Sequence, residues 1–159
     1  MKYEESPVLE LKEQINADFK KEIIAFANTD GGDFQVGVAR DGSDTGVEET
    51  EAEMEKIGNM IRDGIKPDLT AYTSIERIED GGKAIIRVSV SRGLKRPYHL
   101  TDKGLKPTGV FVRHGVSSVP ATDEAIRQML RESDGTAFDK ARSVNQELTF
   151  NYVEKTFQE

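Results

Sequence analysis

Apolar and polar positions alternate with a period of two in five parts of the chain, and this spacing is typical of strands. In the first part, Leu9 and Leu11 share one face of the predicted strand and Glu10 lies on the other. Polar turns separate these parts, and Asp41-Gly42 is a strong hairpin signal. The predicted strands lie at residues 8–12, 34–38, 70–78, 83–90 and 110–114.

Apolar side chains recur every three to four residues in three other segments, which predicts amphipathic helices. The first helix follows Asn16, a good N-cap residue, and stops before the glycine pair Gly31-Gly32. Thr50 opens the second helix as the first residue of a capping box, and Thr122 caps the third. This order of elements predicts an α+β fold, with a mixed, mostly antiparallel sheet and about three packed helices.

The length of 159 residues suits a single domain that needs no disulfide or metal to be stable, and the chain has no cysteine. We expect the domain to span residues 1–135. Residues 136–159 carry apolar side chains with no obvious place in the sheet, so we expect a C-terminal extension or a linker to a further module. No apolar run is long enough to span a membrane and the first residues do not form a signal peptide. We therefore expect a cytoplasmic protein with no membrane partner.

The net charge of −7 hides a segregation of charge along the chain. Residues 82–120 hold eight Lys and Arg against one acid and carry +7, whereas residues 1–81 carry −11 and residues 121–159 carry −3. A local basic face on an acidic body is what a phosphate backbone attracts. A loop-rich segment that is simply solvated by Lys and Arg is the plainer interpretation, and both stay open at this point.

Common catalytic motifs are missing from the sequence, but two acids near the N-terminus suit a metal ion. There is no Walker phosphate-binding loop and no G-x-S-x-G elbow, and His99 and His114 match no metal spacing. Glu5 and Glu10 can supply oxygen ligands to Mg²⁺ or Mn²⁺, which would activate water for phosphodiester cleavage. The plainer interpretation makes Glu5 a free surface acid and Glu10 a strand residue that faces solvent.

Several motifs in residues 4–133 resemble the Schlafen/AlbA-like DNA-binding domain family. The most specific is AFANTDGG at residues 25–32, which fits the family pattern A-F-A-N-T-x-G-G. The segment at residues 143–150 is similar to one that joins this domain to C-terminal modules in bacterial members. Weaker matches are Glu5-Ser6 with Glu10-Leu11-Lys12, the Asp41-Gly42 turn, Arg96-Pro97-Tyr98, and residues 112–118.

The resemblance implies a Schlafen/AlbA-like fold and the binding of DNA or RNA, as in the DNA-binding domain of a bacterial transcriptional regulator. No cofactor is expected for that function. Together with the local positive charge, the resemblance gives six candidates for contact with phosphate. They are Lys12, Arg92, Lys95, Arg96, Arg113 and His114.

Two alternatives remain open. The resemblance to some Schlafen proteins implies a metal-dependent endoribonuclease that uses three acids, and Glu5 and Glu10 match two of them. Asp41 is the nearest acid to the third position, so under this alternative Glu5, Glu10 and Asp41 are the catalytic residues and the ligands of Mg²⁺ or Mn²⁺. The second alternative is a protein-interaction or oligomerisation module, with a homo-oligomer as one form, which the overall acidity and the apolar tail favour.

Overall fold

The alternating segments of the sequence form the central sheet of the computed structural model, which describes residues 5–133. The predicted α+β class, with a mixed, mostly antiparallel sheet, is confirmed. In chain order the elements are β1 (Leu9–Lys12), α1 (Phe19–Asn28), β2 (Gly32–Val36), α2 (Thr50–Gly64), β3 (Ile65–Lys66), β4 (Thr73–Asp80), β5 (Lys83–Val90), β6 (His99–Leu100), β7 (Phe111–His114), β8 (Ser117–Pro120) and α3 (123–133).

The main sheet has four strands in the order β1-β2-β5-β4. β1 and β2 are parallel, because the chain returns through α1 between them, and the other neighbours are antiparallel. The strands predicted at residues 70–78 and 83–90 form the antiparallel pair β4–β5, but residues 70–72 form a short helical turn before β4 begins at Thr73. Two short two-stranded sheets, β3–β6 and β7–β8, lie outside the main sheet.

The core lies between the main sheet and helices α1 and α2. Phe34 of β2 points toward α1, and its ring meets that of Phe19 edge to face with centroids 4.9 Å apart. Ile23 and Phe26 of α1 are also fully buried, and each such side chain contributes about 1.5–3 kcal/mol. Glu10 pairs in register with Phe34 and therefore lies on the α1 side of the sheet rather than in solvent.

The predicted starts of the first two helices differ from the structure by one or two residues. Asn16 accepts a hydrogen bond from the Asp18 N–H at 2.9 Å, but it lies two residues before the helix cap, because Asp18 is the N-cap of α1. Thr50 is the first residue inside α2, its hydroxyl bonds to the Val47 carbonyl, and Glu49 with a φ of 51° is the N-cap. The predicted cap at Thr122 is confirmed, since its Oγ1 accepts the hydrogen bond of the Ala125 N–H at 3.0 Å.

The outer edge of β1 is closed by its own chain. Ser6 and Leu9 exchange two backbone hydrogen bonds of 3.0 and 3.2 Å, which folds the N-terminal segment back as a tight turn. The Leu11 N–H, which also points outward, donates to the Glu5 carboxylate at 3.3 Å. Both outward N–H groups of β1 at these positions therefore have an acceptor within the same short segment.

The proposed tail at residues 136–159 lies outside the described residues, so the predicted boundary at residue 135 stays a prediction. Within residues 5–133, no helix has the length and apolar character to cross a membrane.

Candidate functional site

The AFANTDGG motif at residues 25–32 has a structural role that its side chains explain. The Asn28 amide donates to the carbonyls of Tyr98 and Phe111 at 3.1 and 2.9 Å, and its Oδ1 accepts the Tyr98 N–H at 2.7 Å. Asn28 is buried, and these three bonds satisfy both donors and the acceptor of the amide. The end of α1 is thus fixed to the segments that precede β6 and begin β7.

The two glycines of the motif allow the chain to turn from α1 into β2. Gly31 has a φ of +79°, which L-amino acids rarely adopt. A Cβ at Gly32 would lie 2.6 Å from the Phe26 ring and 2.8 Å from the Val8 carbonyl oxygen. The polar, glycine-rich exit predicted for this helix is therefore required by packing.

Arg113 of β7 lies inside the protein, with 2% of its side chain exposed. Its Nη2 is 2.9 Å from Oε1 of Glu10, and its Nη1 is 3.0 Å from Oε1 of Glu22 on α1. Nη1 also donates to Oγ of Ser118, which in turn bonds to Glu22. The prediction that Arg113 faces a phosphate backbone does not fit this position, because burial and two carboxylates already satisfy its charge.

The same guanidinium holds the N-terminal turn in place. It donates to the carbonyls of Ser6, Pro7 and Leu9 at 3.0, 3.2 and 3.4 Å. Its carbon lies 4.8 Å from the centroid of the Phe26 ring, in cation–π distance. One side chain therefore connects the turn before β1, helix α1 and the β7–β8 hairpin.

The surroundings of Glu10 shift the pKa of its side chain strongly. Burial, followed by the nearby carboxylates of Glu22 and Glu5, raises the pKa of Glu10 to about 7, and Arg113 opposes the rise. The other oxygen of Glu10 is 3.5 Å from Nζ of Lys12, which is one-third exposed. Glu10 can therefore bind and release a proton near neutral pH.

This cluster lines an open depression of about 490 Å³. The predicted residues Glu5, Glu10 and Lys12 are brought together in it. Sequence reasoning missed Glu22 and Arg40, which also line it. Glu22 carried no signal beyond being one acid on a helix, and its neighbours come from β1 and β8, far away in the sequence.

Asp41, the third acid of the predicted metal set, does not line this depression. Its Oδ1 accepts hydrogen bonds from the N–H and Oγ–H of Ser43 at 2.9 and 2.6 Å, which closes the turn after β2. Among residues 5–133, no three His, Asp or Glu side chains are arranged to hold a metal ion. The predicted set of Glu5, Glu10 and Asp41 does not fit Mg²⁺ or Mn²⁺, because Asp41 lies apart from the other two. Glu22, which lies beside Glu10, is paired with the guanidinium of Arg113.

Arg92, Lys95 and Arg96 lie in the loop after β5, but they differ in how far they reach solvent. Arg92 is 52% exposed. It forms a long ion pair with Asp30, in which Nη1 of Arg92 lies 3.8 Å from Oδ1 of Asp30. The Lys95 side chain is exposed and makes no ion pair within the described chain. Arg96 is only 14% exposed, because it bonds to the Asn28 carbonyl at 3.2 Å and to a Glu132 carboxylate oxygen at 2.8 Å.

The six predicted phosphate contacts do not form one strip. Arg92 and Arg96 line a small depression with Leu94 next to α3, whereas Lys12 lies in the acidic depression beside Glu10. His114 is exposed at the end of β7. Sequence reasoning missed two exposed lysines of the same basic segment, Lys103 and Lys106 in the loop after β6.

Residues 5–122 match the family described as Schlafen, AlbA_2, so the chain belongs to that family. The DIP2311 protein from Corynebacterium diphtheriae has a similar fold, with a TM-score of 0.58 and 17% identity over 80% of this chain and 24% of that one. This chain thus spans about a quarter of that protein's length. No curated protein matches the chain significantly.

A second solved structure covers a single domain. It is the N-terminal domain of a Nitrosomonas europaea protein that is named for its relation to the ATP-dependent DNA helicase RecG. The TM-score is 0.54 and the identity 22%, over 72% of this chain and 83% of that domain. At these identities the two structures support the fold.

Proposed function

Because the chain belongs to the Schlafen AlbA_2 family, we propose that it is a nucleic-acid-binding domain that contacts the phosphate backbone through the loop after β5. The observation that carries the proposal is the exposure of Arg92 and Lys95. They belong to a segment with a net charge of +7, Arg92 forms only a long ion pair of 3.8 Å with Asp30, and Lys95 makes no ion pair in the described chain. Exposed cations of this kind release condensed counterions from a nucleic acid when they bind its phosphates.

The charge of this loop is tested by the double variant Arg92→Ala/Lys95→Ala. We expect the affinity for a DNA duplex at low salt to fall at least about tenfold, and the slope of log affinity against log salt to fall by about two. Arg96 is left intact in this variant because it also supports the fold. Fluorescence anisotropy over a series of salt concentrations measures both quantities.

The matched control is Lys56→Ala/Arg77→Ala, which removes two exposed cations from α2 and β4. It changes the net charge equally, so a general electrostatic effect would weaken both variants alike. Equal affinities for the wild-type protein and the Arg92/Lys95 variant would contradict the proposal.

We further propose that this domain serves a bacterial transcriptional regulator, which chromatin immunoprecipitation from the native host would test.

We keep a metal-dependent endoribonuclease as a second proposal, although the acids as placed are not arranged to hold a metal ion among residues 5–133. The observation in its favour is that Glu5, Glu10 and Glu22 line one depression together with Lys12 and Arg40. Incubation of the full chain with tRNA and Mn²⁺ tests it, and cleavage that is lost in Glu10→Gln supports it. Intact tRNA across pH and metal ions contradicts it.

The third proposal, a protein-interaction module that uses residues 136–159, is tested by light scattering with and without that segment.

A further inference from the structure

Two loops of the basic segment share the sequence Gly-Leu-Lys, preceded by a cation in each. Arg92-Gly93-Leu94-Lys95 follows β5 and Lys103-Gly104-Leu105-Lys106 follows β6. In both, an exposed leucine is flanked by exposed cations: Leu94 is 57% exposed and Leu105 is 48% exposed. We refer to residues 92–95 and 103–106 as the first and second tips.

The backbone of the first tip is held in place by hydrogen bonds and by packing against the rest of the domain. The Gly93 N–H donates to the Ala27 carbonyl at 3.0 Å, and the Lys95 N–H donates to the Tyr98 hydroxyl at 3.1 Å. A Cβ at Gly93 would lie 2.2 Å from the Tyr98 ring, so only glycine fits there. The backbone is held against α1 while Leu94 and its flanking cations project outward.

The second tip is held by a compact network of its own. The Gly104 N–H donates to the Leu100 carbonyl at 3.0 Å, and Gly104 has a φ of +79°. The N–H of Lys106 donates to the Gly104 carbonyl at 3.0 Å, and the N–H of Gly109 donates to the Lys106 carbonyl at 2.8 Å. Fixed loops of this kind lose little conformational freedom on binding.

Both tips are connected to the last turn of α1 by short contacts. The first is bonded to Ala27 in that turn. In the second, the Lys106 carbonyl accepts the Val110 N–H at 3.0 Å, and the carbonyl of the next residue, Phe111, accepts a hydrogen bond from Asn28 at 2.9 Å.

We propose that the two tips grip one DNA duplex together, with their cations on the phosphates and Leu94 and Leu105 inserted as wedges in the minor groove. An apolar side chain cannot read base edges by hydrogen bonds, but it can enter the minor groove, unstack a base step and bend the duplex. The flanking positive charge matches the phosphates on either side of that groove. This inference rests on the proposed function and adds the second tip, the form of the nucleic acid and the role of the leucines.

An anionic membrane is the other surface that basic, apolar tips could meet. Two leucine side chains carry fewer carbons than one myristoyl chain, which by itself gives only marginal membrane binding. A rigid pair of small wedges therefore suits a groove better than a bilayer.

The test compares the full chain with Leu94→Ala/Leu105→Ala on a duplex of about 30 base pairs that carries a donor and an acceptor fluorophore at its ends. We expect the wild-type protein to bend the duplex. The leucine variant should bind about tenfold to a hundredfold more weakly and lose the bend, while its salt dependence stays unchanged because all cations remain. The matched control is Val8→Ala/Val116→Ala, which shortens two half-exposed apolar side chains outside the tips and should leave binding and bending unchanged.

The outcomes separate this inference from the proposed function. If Arg92→Ala/Lys95→Ala weakens binding but the leucine variant binds and bends like the wild-type protein, the wedge inference is overturned and the proposed function stands. If the wild-type protein does not bind the duplex, both fail. Leucine-dependent binding to phosphatidylserine vesicles that exceeds binding to the duplex would also overturn the inference, in favour of a membrane surface.

Discussion

Arg113 and Arg92 belong to the same basic segment, yet the structure uses them in opposite ways. Arg113 is 2% exposed and bonds to two carboxylates, a hydroxyl and three backbone carbonyls, whereas Arg92 is half exposed with its paired carboxylate 3.8 Å away. The charge of Arg113 is neutralised inside the fold, whereas that of Arg92 is exposed to solvent. A count of positive residues therefore overstates the positive charge on the surface of this domain. Arg92, Lys95, Lys103 and Lys106 offer their charge to solvent, while Arg96 and Arg113 support the structure.

The sharpest way to break this comparison is to remove the buried guanidinium. Arg113→Met keeps much of the side-chain volume but leaves Glu10 and Glu22 without their cation. We expect the free energy of unfolding to fall by about 3–5 kcal/mol, as when one partner of a buried ion pair is lost. Urea denaturation followed by circular dichroism measures it, and Arg92→Met should change it by less than about 0.5 kcal/mol. Similar small effects of both variants would show that Arg113 is not an anchor.

A neutral buried group should give the next largest effect. Asn28→Ala removes three hydrogen bonds and leaves the Tyr98 N–H and two carbonyls without their partner. We expect a loss of about 2–3 kcal/mol in the free energy of unfolding. Asn59→Ala on the exposed face of α2 is the control, and it should be nearly neutral although Asn59 accepts a bond from Arg62. Equal stability of Asn28→Ala and the wild-type protein would contradict the structural role of the motif.

The pH dependence of stability sharpens the comparison further. The folded pKa of Glu10, about 7, exceeds the value of 4.5 for a free side chain, so the folded protein holds the proton more tightly than the unfolded chain. The stabilisation of the folded protein by the proton on Glu10 is complete below about pH 4.5, and it is lost as the pH rises through 7. We expect the free energy of unfolding to fall by about 1 kcal/mol more between pH 6 and pH 8 in the wild-type protein than in Glu10→Gln. Parallel pH profiles of the two proteins would contradict it.

Most of the fold was predictable because its elements are long or strongly periodic. The alternation over residues 83–90 correctly placed β5, and the four-residue spacing of Phe19, Ile23 and Ala27 correctly placed α1. Ile15 continues that spacing but lies before the helix begins. Periodicity also put Glu10 opposite Leu9 and Leu11, but it could not say which face of β1 is covered. β8 was not predicted, because a short, polar strand such as Ser117–Pro120 is defined only by its partner β7.

The candidate site was less predictable because its contacts join distant parts of the chain. Arg113 meets Glu22 across 91 positions and Ser6 across 107, and no local pattern carries that information. The alternative drawn from the family resemblance grouped Glu5, Glu10 and Asp41. The structure brings Glu5 and Glu10 together, whereas Asp41 accepts hydrogen bonds from Ser43 in its own turn and does not line the same depression. The two tips could have been found from the sequence, because the Gly-Leu-Lys repeat is visible there. That their leucines are exposed could be learned only from the structure.

The closed outer edge of β1 has a consequence for the behaviour of the protein at high concentration. A bare strand edge offers a row of backbone groups to which other chains can add, and this is a common start of aggregation. Here the turn at Ser6 and the carboxylate of Glu5 occupy the outward N–H groups of Leu9 and Leu11. Arg113 holds the same segment in place through hydrogen bonds to its backbone carbonyls. The cluster of Arg113, Glu10 and Glu22 therefore also helps to keep this edge of the sheet from pairing with neighbouring molecules.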